Sequence, residues 1–83
     1  MNHIKADYFV DITDVVCPIT YVKVKATIEE IDEGKILEVR LNEGEALLNV
    51  PRSLKEDGHK ILSVENNNDR TYTIYIQKGS VDK

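Results

Sequence analysis

The sequence predicts an α/β fold, a two-layer sandwich in the order β-α-β-α-β-β, with two helices on one face of a four-stranded mixed sheet. Strand-like runs rich in β-branched residues alternate with two helix-length segments. The last two runs are separated by Asn66–Asp69, which suits a tight turn and predicts a hairpin. Because 83 residues can bury one core but leave little room for an internal pocket, we expect residues 1–83 to form a single domain.

The segment Ile19–Glu33 fits two periodicities. Apolar and polar residues alternate as in a strand, with the apolar ones at Val22, Val24, Ala26 and Ile28. The segment also presents one helical face, made of Tyr21, Val24, Ile28 and Ile31 and flanked by Val22 and Ala26. Pro18 before the segment and Gly34 after it favour a helix, since proline suits a first helical turn and glycine often ends a helix.

Four strands are predicted from shorter patterns, over Tyr8–Ile12, Lys35–Leu41, Lys60–Glu65 and Thr71–Lys78. In the last strand the residues predicted to face the core are Tyr72, Ile74 and Ile76, and those predicted outside are Thr71, Thr73 and Tyr75. This strand is also a candidate open edge for pairing with a second copy, although we expect a monomer.

The second helical segment contains Pro51, which has no backbone N–H to donate. We therefore expect a short turn over Ala46–Asn49, followed by a helix with Pro51 in its first turn. Gly58 is expected to end that helix in a left-handed conformation.

The charge balance excludes some classes of partner. The net charge is −4, from 11 basic and 15 acidic residues, which argues against a sequence-independent nucleic-acid binder and suits a basic protein surface. No apolar run is long enough to span a membrane, and the first residues lack a signal-peptide pattern. We therefore expect no membrane partner and a cytoplasmic location.

Cys17 is the single cysteine, so the sequence can form neither an internal disulfide nor a four-cysteine zinc site. Two histidines and scattered carboxylates make no recognisable metal motif, and no cofactor is implied. Pro18 suggests that Cys17 lies at or next to a helix N-terminus. The unpaired amides there favour the thiolate and therefore a nucleophile.

Several features along the chain occur together in one known family. Asp11 precedes Cys17 by six positions, Cys17-Pro18 opens a helix, and an acidic turn follows at Asn42–Gly44, with Gly58-His59 before the third strand. From Tyr8 to Gly79 the chain resembles the TusA/SirA-like family of small sulfur-carrier proteins. The family motif is Cys-Pro-x-Pro, whereas this chain has Thr20 in place of the second proline and Asp14 where a glycine is often found.

The resemblance implies the same sandwich fold and a sulfurtransferase that carries sulfur as a persulfide on Cys17. A donor protein, such as a cysteine desulfurase or a rhodanese-like enzyme, would supply the sulfur. An acceptor protein in tRNA thiolation, cofactor synthesis or sulfur metabolism would receive it. Pro18, Thr20 and Asp11 would support the site. The departures at Asp14 and Thr20 are the reason to keep an alternative beside the carrier, a non-catalytic interaction or regulatory module on the same fold.

Three of these residues also have ordinary structural interpretations. Asp11 at a strand end suits hydrogen bonds to a nearby loop, and Thr20 suits the polar first turn of a helix or a hydrogen bond to the sulfur. His59 is either an acid or base for the thiol or, as we favour, a residue that leads from a helix into a strand.

Overall fold

The computed structural model describes residues 5–14 and 19–79. Its elements in chain order are β1 (Tyr8–Asp11), α1 (Ile19–Glu29), β2 (Ile36–Asn42), α2 (Glu45–Glu56), β3 (Lys60–Asn66) and β4 (Thr71–Gln77). The strands form one sheet in the order β1-β2-β4-β3, in which β1 is parallel to β2 and the other two pairs are antiparallel. The predicted mixed sheet and two-layer α/β sandwich are confirmed, and so is the β3–β4 hairpin.

The core lies between the helices and one face of the sheet. The register of β2 on β4 places Leu37 opposite Ile76 and Val39 opposite Ile74, and all four side chains are fully buried. The helices contribute fully buried side chains from Val24, Ile28, Val50 and Leu54. Each such side chain contributes about 1.5–3 kcal/mol relative to an exposed one, so this layer is the main source of stability.

Segment α1 is a helix, as predicted, but it ends earlier than expected and the residues beside its buried face are exposed. Val24 and Ile28 face the core, whereas Val22 is 57% exposed and Ala26 is also exposed. The helix ends at Glu29 rather than Glu33. After Glu29 the backbone hydrogen bonds join residues three apart, as in a tighter last turn. The Lys78 ammonium also donates to the Glu29 and Ile31 carbonyl oxygens, at 3.2 and 2.8 Å.

Helix α2 is continuous from Glu45 to Glu56, so the expected turn over Ala46–Asn49 and the placement of Pro51 in a first turn were wrong. Pro51 lies inside the helix. The apolar face explains this, because Val50 and Leu54 are fully buried and Ala46 packs against the same core. Gly58 adopts φ +100 just after the helix, which confirms the predicted left-handed conformation.

Strand β4 has the predicted facing, since Ile74 and Ile76 are in the core and Tyr72 packs against it, but it differs from two other expectations. Thr71 and Thr73 are only 8% and 6% exposed, although alternation places them on the face away from Ile74 and Ile76. The Asn67 side-chain amide covers them and donates to their hydroxyls at 3.1 and 3.0 Å. Moreover, β4 lies between β2 and β3, so it is not an open edge, and the outer strands are β1 and β3.

The topology brings both helix starts to one edge of the sheet. Because β1 and β2 are parallel, their carboxyl ends lie at the same edge, and α1 follows the first of them and α2 the second. The β3–β4 turn reaches this edge too, since the Glu43 amide donates to the Arg70 carbonyl oxygen at 3.0 Å. In the described part of the chain, neither helix has the length and apolar character needed to cross a membrane.

Candidate functional site

The turn that follows β1 is held by Asp11. Its Oδ1 accepts hydrogen bonds from the Thr13 amide at 2.9 Å and from the Thr13 hydroxyl at 2.7 Å. This local arrangement of an aspartate with the residue two positions later is a common way to end a strand. The contacts of Asp11 therefore agree with its interpretation as a strand-end residue that forms hydrogen bonds to a nearby loop.

Two further contacts fix this turn to β2. The Asn42 side-chain amide donates to the Thr13 carbonyl oxygen at 2.6 Å. The Ile12 amide donates to the Arg40 carbonyl oxygen at 2.8 Å, and the Ile12 side chain is fully buried in the core. The backbone up to Thr13 is consequently anchored both by the core and by the neighbouring strand.

Cys17 and Pro18 follow this turn in the sequence and lie outside the described residues, so their predicted roles stay predictions. On the far side of that segment, α1 includes Ile19 and Thr20. Thr20 is 2% exposed and therefore points into the molecule, whereas Ile19 is 51% exposed. The first turn of α1 thus combines a buried hydroxyl side chain with an apolar surface.

The hydrogen bonds from Thr13 also stabilise the ionised form of the Asp11 carboxyl group. Donation by the Thr13 amide and then by its hydroxyl lowers the pKa of the Asp11 carboxyl below 3.8, against a smaller opposing effect of burial. Asp11 therefore stays ionised at neutral pH. It acts as a hydrogen-bond acceptor that orders the turn.

A second polar cluster lies between the two helices and the ends of the sheet. Asp57 accepts a hydrogen bond from the Tyr21 hydroxyl at 2.7 Å and contacts the Lys25 ammonium at 3.4 Å. Lys25 also pairs with Glu29 at 3.3 Å. The cleft beside them has a volume of about 430 Å³ and is lined by Lys25, Glu29, Asp57, His59 and Lys78. Tyr21, Lys25, Glu29 and Asp57 thus form hydrogen bonds and ion pairs with one another, and these contacts link α1 to the end of α2.

His59 is a structural residue in this cluster. Its side chain is 7% exposed, and its Nδ1 accepts a hydrogen bond from the Gly79 amide at 3.1 Å. Burial lowers the pKa of the imidazole below 6.5, so the neutral form dominates at neutral pH. His59 follows α2 and precedes β3, as the favoured sequence interpretation expected.

The sequence interpretation missed Thr13 and Asn42 as supports of the turn. The spacing of Asp11 and Thr13 after a strand is a recognisable local signal. The Asn42 contact is not, because it joins residues 29 positions apart. Among residues 5–14 and 19–79, no group of three or more His, Asp or Glu side chains is placed to hold a metal ion.

Comparison with known proteins finds a family model and several relatives that agree with one another. The family model described as "Sulfurtransferase TusA" matches residues 8–78. A protein of Archaeoglobus fulgidus is 39% identical over 77 residues, which cover 93% of this chain and 88% of that protein. A protein of Methanocaldococcus jannaschii is 34% identical over 68 residues, or 82% of this chain and 89% of its own length.

A protein of Bacillus subtilis is 31% identical over 75 residues, which cover 90% of this chain and 99% of that protein. All three relatives are named "putative sulfur carrier protein". The family-model match extends from β1 through β4 and includes the segment with the single cysteine. The chain therefore belongs to the TusA sulfurtransferase family.

Proposed function

We propose that this chain is a sulfur carrier that holds sulfur as a persulfide on Cys17. The family match over residues 8–78, which includes the single cysteine, carries this proposal. The names of the relatives point in the same direction. The whole match falls within one sandwich, so we also propose that residues 1–83 work as one domain and as a monomer.

The transfer step is an exchange at sulfur. The Cys17 thiolate attacks the outer sulfur of a persulfide on the donor protein, and a new S–S bond forms as the donor S–S bond breaks. The donor cysteine leaves as a thiolate, and Cys17 becomes the persulfide. One sulfur atom moves and no external oxidant is needed. Because the chain has no second cysteine, a nucleophile on another molecule must collect the sulfur.

The residues around the cysteine segment would support this chemistry by position. Asp11, Thr13 and Asn42 hold the backbone that leads into it. In the proposal, Pro18 begins the helix and Thr20 lends its first turn a buried polar group. The helix N-terminus then favours the thiolate over the thiol.

Both partners in this proposal are proteins. The donor is a cysteine desulfurase or a rhodanese-like enzyme, and the acceptor belongs to tRNA thiolation, cofactor synthesis or sulfur metabolism. Ile19 and Val22 expose 51% and 57% of their surface in the first turns after Cys17, which provides apolar area for a protein contact. A persulfide carrier needs a reduced thiol, so we propose that it works in the cytoplasm.

Intact-mass spectrometry after incubation with a cysteine desulfurase, its cofactor and cysteine tests the proposal. We expect the wild-type chain to gain the mass of one sulfur atom, which a reductant removes, and Cys17→Ser to gain none. Glu56→Gln is the matched control, since it removes an exposed carboxylate of α2 but leaves the thiol in place, and it should still load.

The non-catalytic alternative predicts a different result. In that case the wild-type chain gains no sulfur from several donor enzymes, and its thiol alkylates no faster than free cysteine at neutral pH. That combination would contradict the carrier proposal.

A further inference from the structure

The face of the sheet that points away from the helices carries an aromatic and acidic row. In the β1–β2 register Phe9 pairs with Glu38, and in the β2–β4 register Glu38 pairs with Tyr75. Paired residues point to the same face from strands that lie about 4.7–4.9 Å apart, so the three side chains stand beside one another. One carboxylate therefore lies between two aromatic rings.

The row is accessible from solvent. Phe9 is 56% exposed, and Glu38 and Tyr75 are half-buried. Both helices pack on the opposite face, where the core side chains of β2 and β4 lie. In the described ranges, no other element covers Phe9, Glu38 or Tyr75.

The charge of Glu38 is uncompensated within the described residues. Its carboxylate has neither a hydrogen bond nor an ion pair there, and the same holds for Glu65 on β3. The nearest cation along β2, Arg40, is already paired with Asp69 at 2.9 Å. The register places Glu38 opposite Tyr75 and Glu65 opposite Thr73, on the same face of the sheet. Burial, followed by the charges of Glu38 and Glu65, raises the pKa of Tyr75 above 10.0.

A half-buried carboxylate between two rings suits one kind of group. A guanidinium is planar, stacks on aromatic rings and donates two parallel hydrogen bonds to a carboxylate. An ammonium matches the charge but not the stacking. We propose that the Phe9–Glu38–Tyr75 row is a docking site for an arginine side chain presented by a basic protein partner. The net charge of −4 complements such a partner.

This proposal does not depend on the sulfur chemistry proposed for Cys17. The row lies on the open face of the sheet, whereas the turn held by Asp11 lies at the edge where β1 and β2 end. A partner on the sheet face would therefore not contact the backbone of the turn held by Asp11.

Amide chemical shifts of the isotope-labelled chain, recorded during titration with a short glycine peptide containing one arginine, test the proposal. The comparison peptide carries citrulline, which keeps the shape but lacks the charge. We expect the arginine peptide to shift the amides of Phe9, Glu38 and Tyr75 selectively, and the citrulline peptide to leave them unchanged.

Variants make the test specific. Glu38→Gln should weaken binding of the arginine peptide by about fivefold or more, because a charge-assisted contact becomes a neutral one. Phe9→Ala should also weaken binding. Glu56→Gln removes an exposed carboxylate from α2 and should bind as the wild type does. Unchanged amide shifts elsewhere would verify the fold of each variant.

Three results would overturn the assignment. The first is equal affinity of wild type and Glu38→Gln for the arginine peptide. The second is equal binding of the citrulline peptide. The third is a dimer of the wild-type chain alone, seen by sedimentation and lost in Glu38→Gln, because the occupant would then be a second copy.

Discussion

At the scale of single residues, Gly79 shows how closely the end of β4 packs on the loop after α2. A Cβ added at Gly79 would collide with the Gly58 carbonyl oxygen and would lie 3.4 Å from the His59 Cα. The Gly79 amide also donates to His59 Nδ1 at 3.1 Å. Only a residue without a side chain fits this contact between two backbone segments.

Gly79→Ala should therefore lower the free energy of unfolding by about 1–3 kcal/mol through overpacking, measured by urea titration. Gly34→Ala is the matched control, since a Cβ there meets nothing within 4 Å and its cost is only the strain of φ +86. A variant at Gly79 as stable as the wild type would show that the two backbone segments separate freely.

The Tyr21–Asp57 hydrogen bond links α1 to α2 through single side chains. Donation by Tyr21 lowers the pKa of Asp57 below 3.8, and the same bond raises the pKa of Tyr21 above 10.0. A carboxyl group whose pKa is lower in the folded state stabilises the fold at pH values above its pKa in the unfolded state. This stabilisation disappears as the pH falls through the pKa of the folded state. The bond therefore stabilises the fold at neutral pH but not in strong acid.

Tyr21→Phe should cost about 1 kcal/mol of unfolding free energy at neutral pH, a modest value because Asp57 is partly exposed. The difference from wild type should shrink as the pH falls below 3.8. Urea titrations at neutral and acidic pH measure both values. Tyr72→Phe is the control, because the Tyr72 hydroxyl makes no hydrogen bond to the described residues. A cost for Tyr21→Phe that is equal at both pH values would refute the role of the Asp57 charge.

At the scale of elements, α2 shows tertiary packing overriding local preference. Pro51 cannot donate to the Leu47 carbonyl oxygen, and an interior proline costs about 3 kcal/mol relative to alanine. The helix nevertheless runs through it from Glu45 to Glu56, because the burial of Val50 and Leu54 on one face compensates.

Pro51→Ala should raise the free energy of unfolding by about 1–3 kcal/mol, since it restores the missing hydrogen-bond donor. Chemical denaturation of both chains measures the change. Lys55→Ala, at an exposed position near the helix end, is the control and should stay within about 0.5 kcal/mol of wild type. A loss of stability in Pro51→Ala would mean that the ring packs better than this account assumes.

The elements also show what sequence reasoning can reach. The periodicity of α1 predicted its buried positions Val24 and Ile28, because a regular helix has one face toward the core. It did not predict the exposure of Val22, which depends on where α2 and the sheet lie. Side-chain contacts between distant elements, such as Tyr21 with Asp57, leave no local pattern.

For the candidate site, the sequence supplied the residue types and the family but not the supporting contacts. Asp11, Cys17, Pro18 and Thr20 could be selected from spacing and resemblance. The bond from Asn42 to Thr13 could not, because it depends on the parallel pairing of β1 with β2.

At the scale of the whole molecule, the parallel pair β1–β2 organises the proposed function. It brings the starts of α1 and α2 to one edge, and the single cysteine lies in the chain between β1 and α1. The acidic side chains Asp11, Asp14, Glu43 and Glu45 belong to the same edge. This edge and the proposed Phe9–Glu38–Tyr75 docking site are both acidic, in line with the net charge of −4.

The measurement that tests the central claim most directly follows one full sulfur cycle on Cys17. The chain is loaded by a cysteine desulfurase with isotopically heavy cysteine, separated from the enzyme, and mixed with a small thiol as the acceptor. Intact mass should show one heavy sulfur gained and then lost. The acceptor solution should contain the heavy sulfur, first as the persulfide of the small thiol and then as sulfide once a second thiol molecule has reacted and formed the disulfide. If the purified chain carries no heavy sulfur, or if Cys17→Ser carries as much as the wild type, Cys17 is not a sulfur carrier.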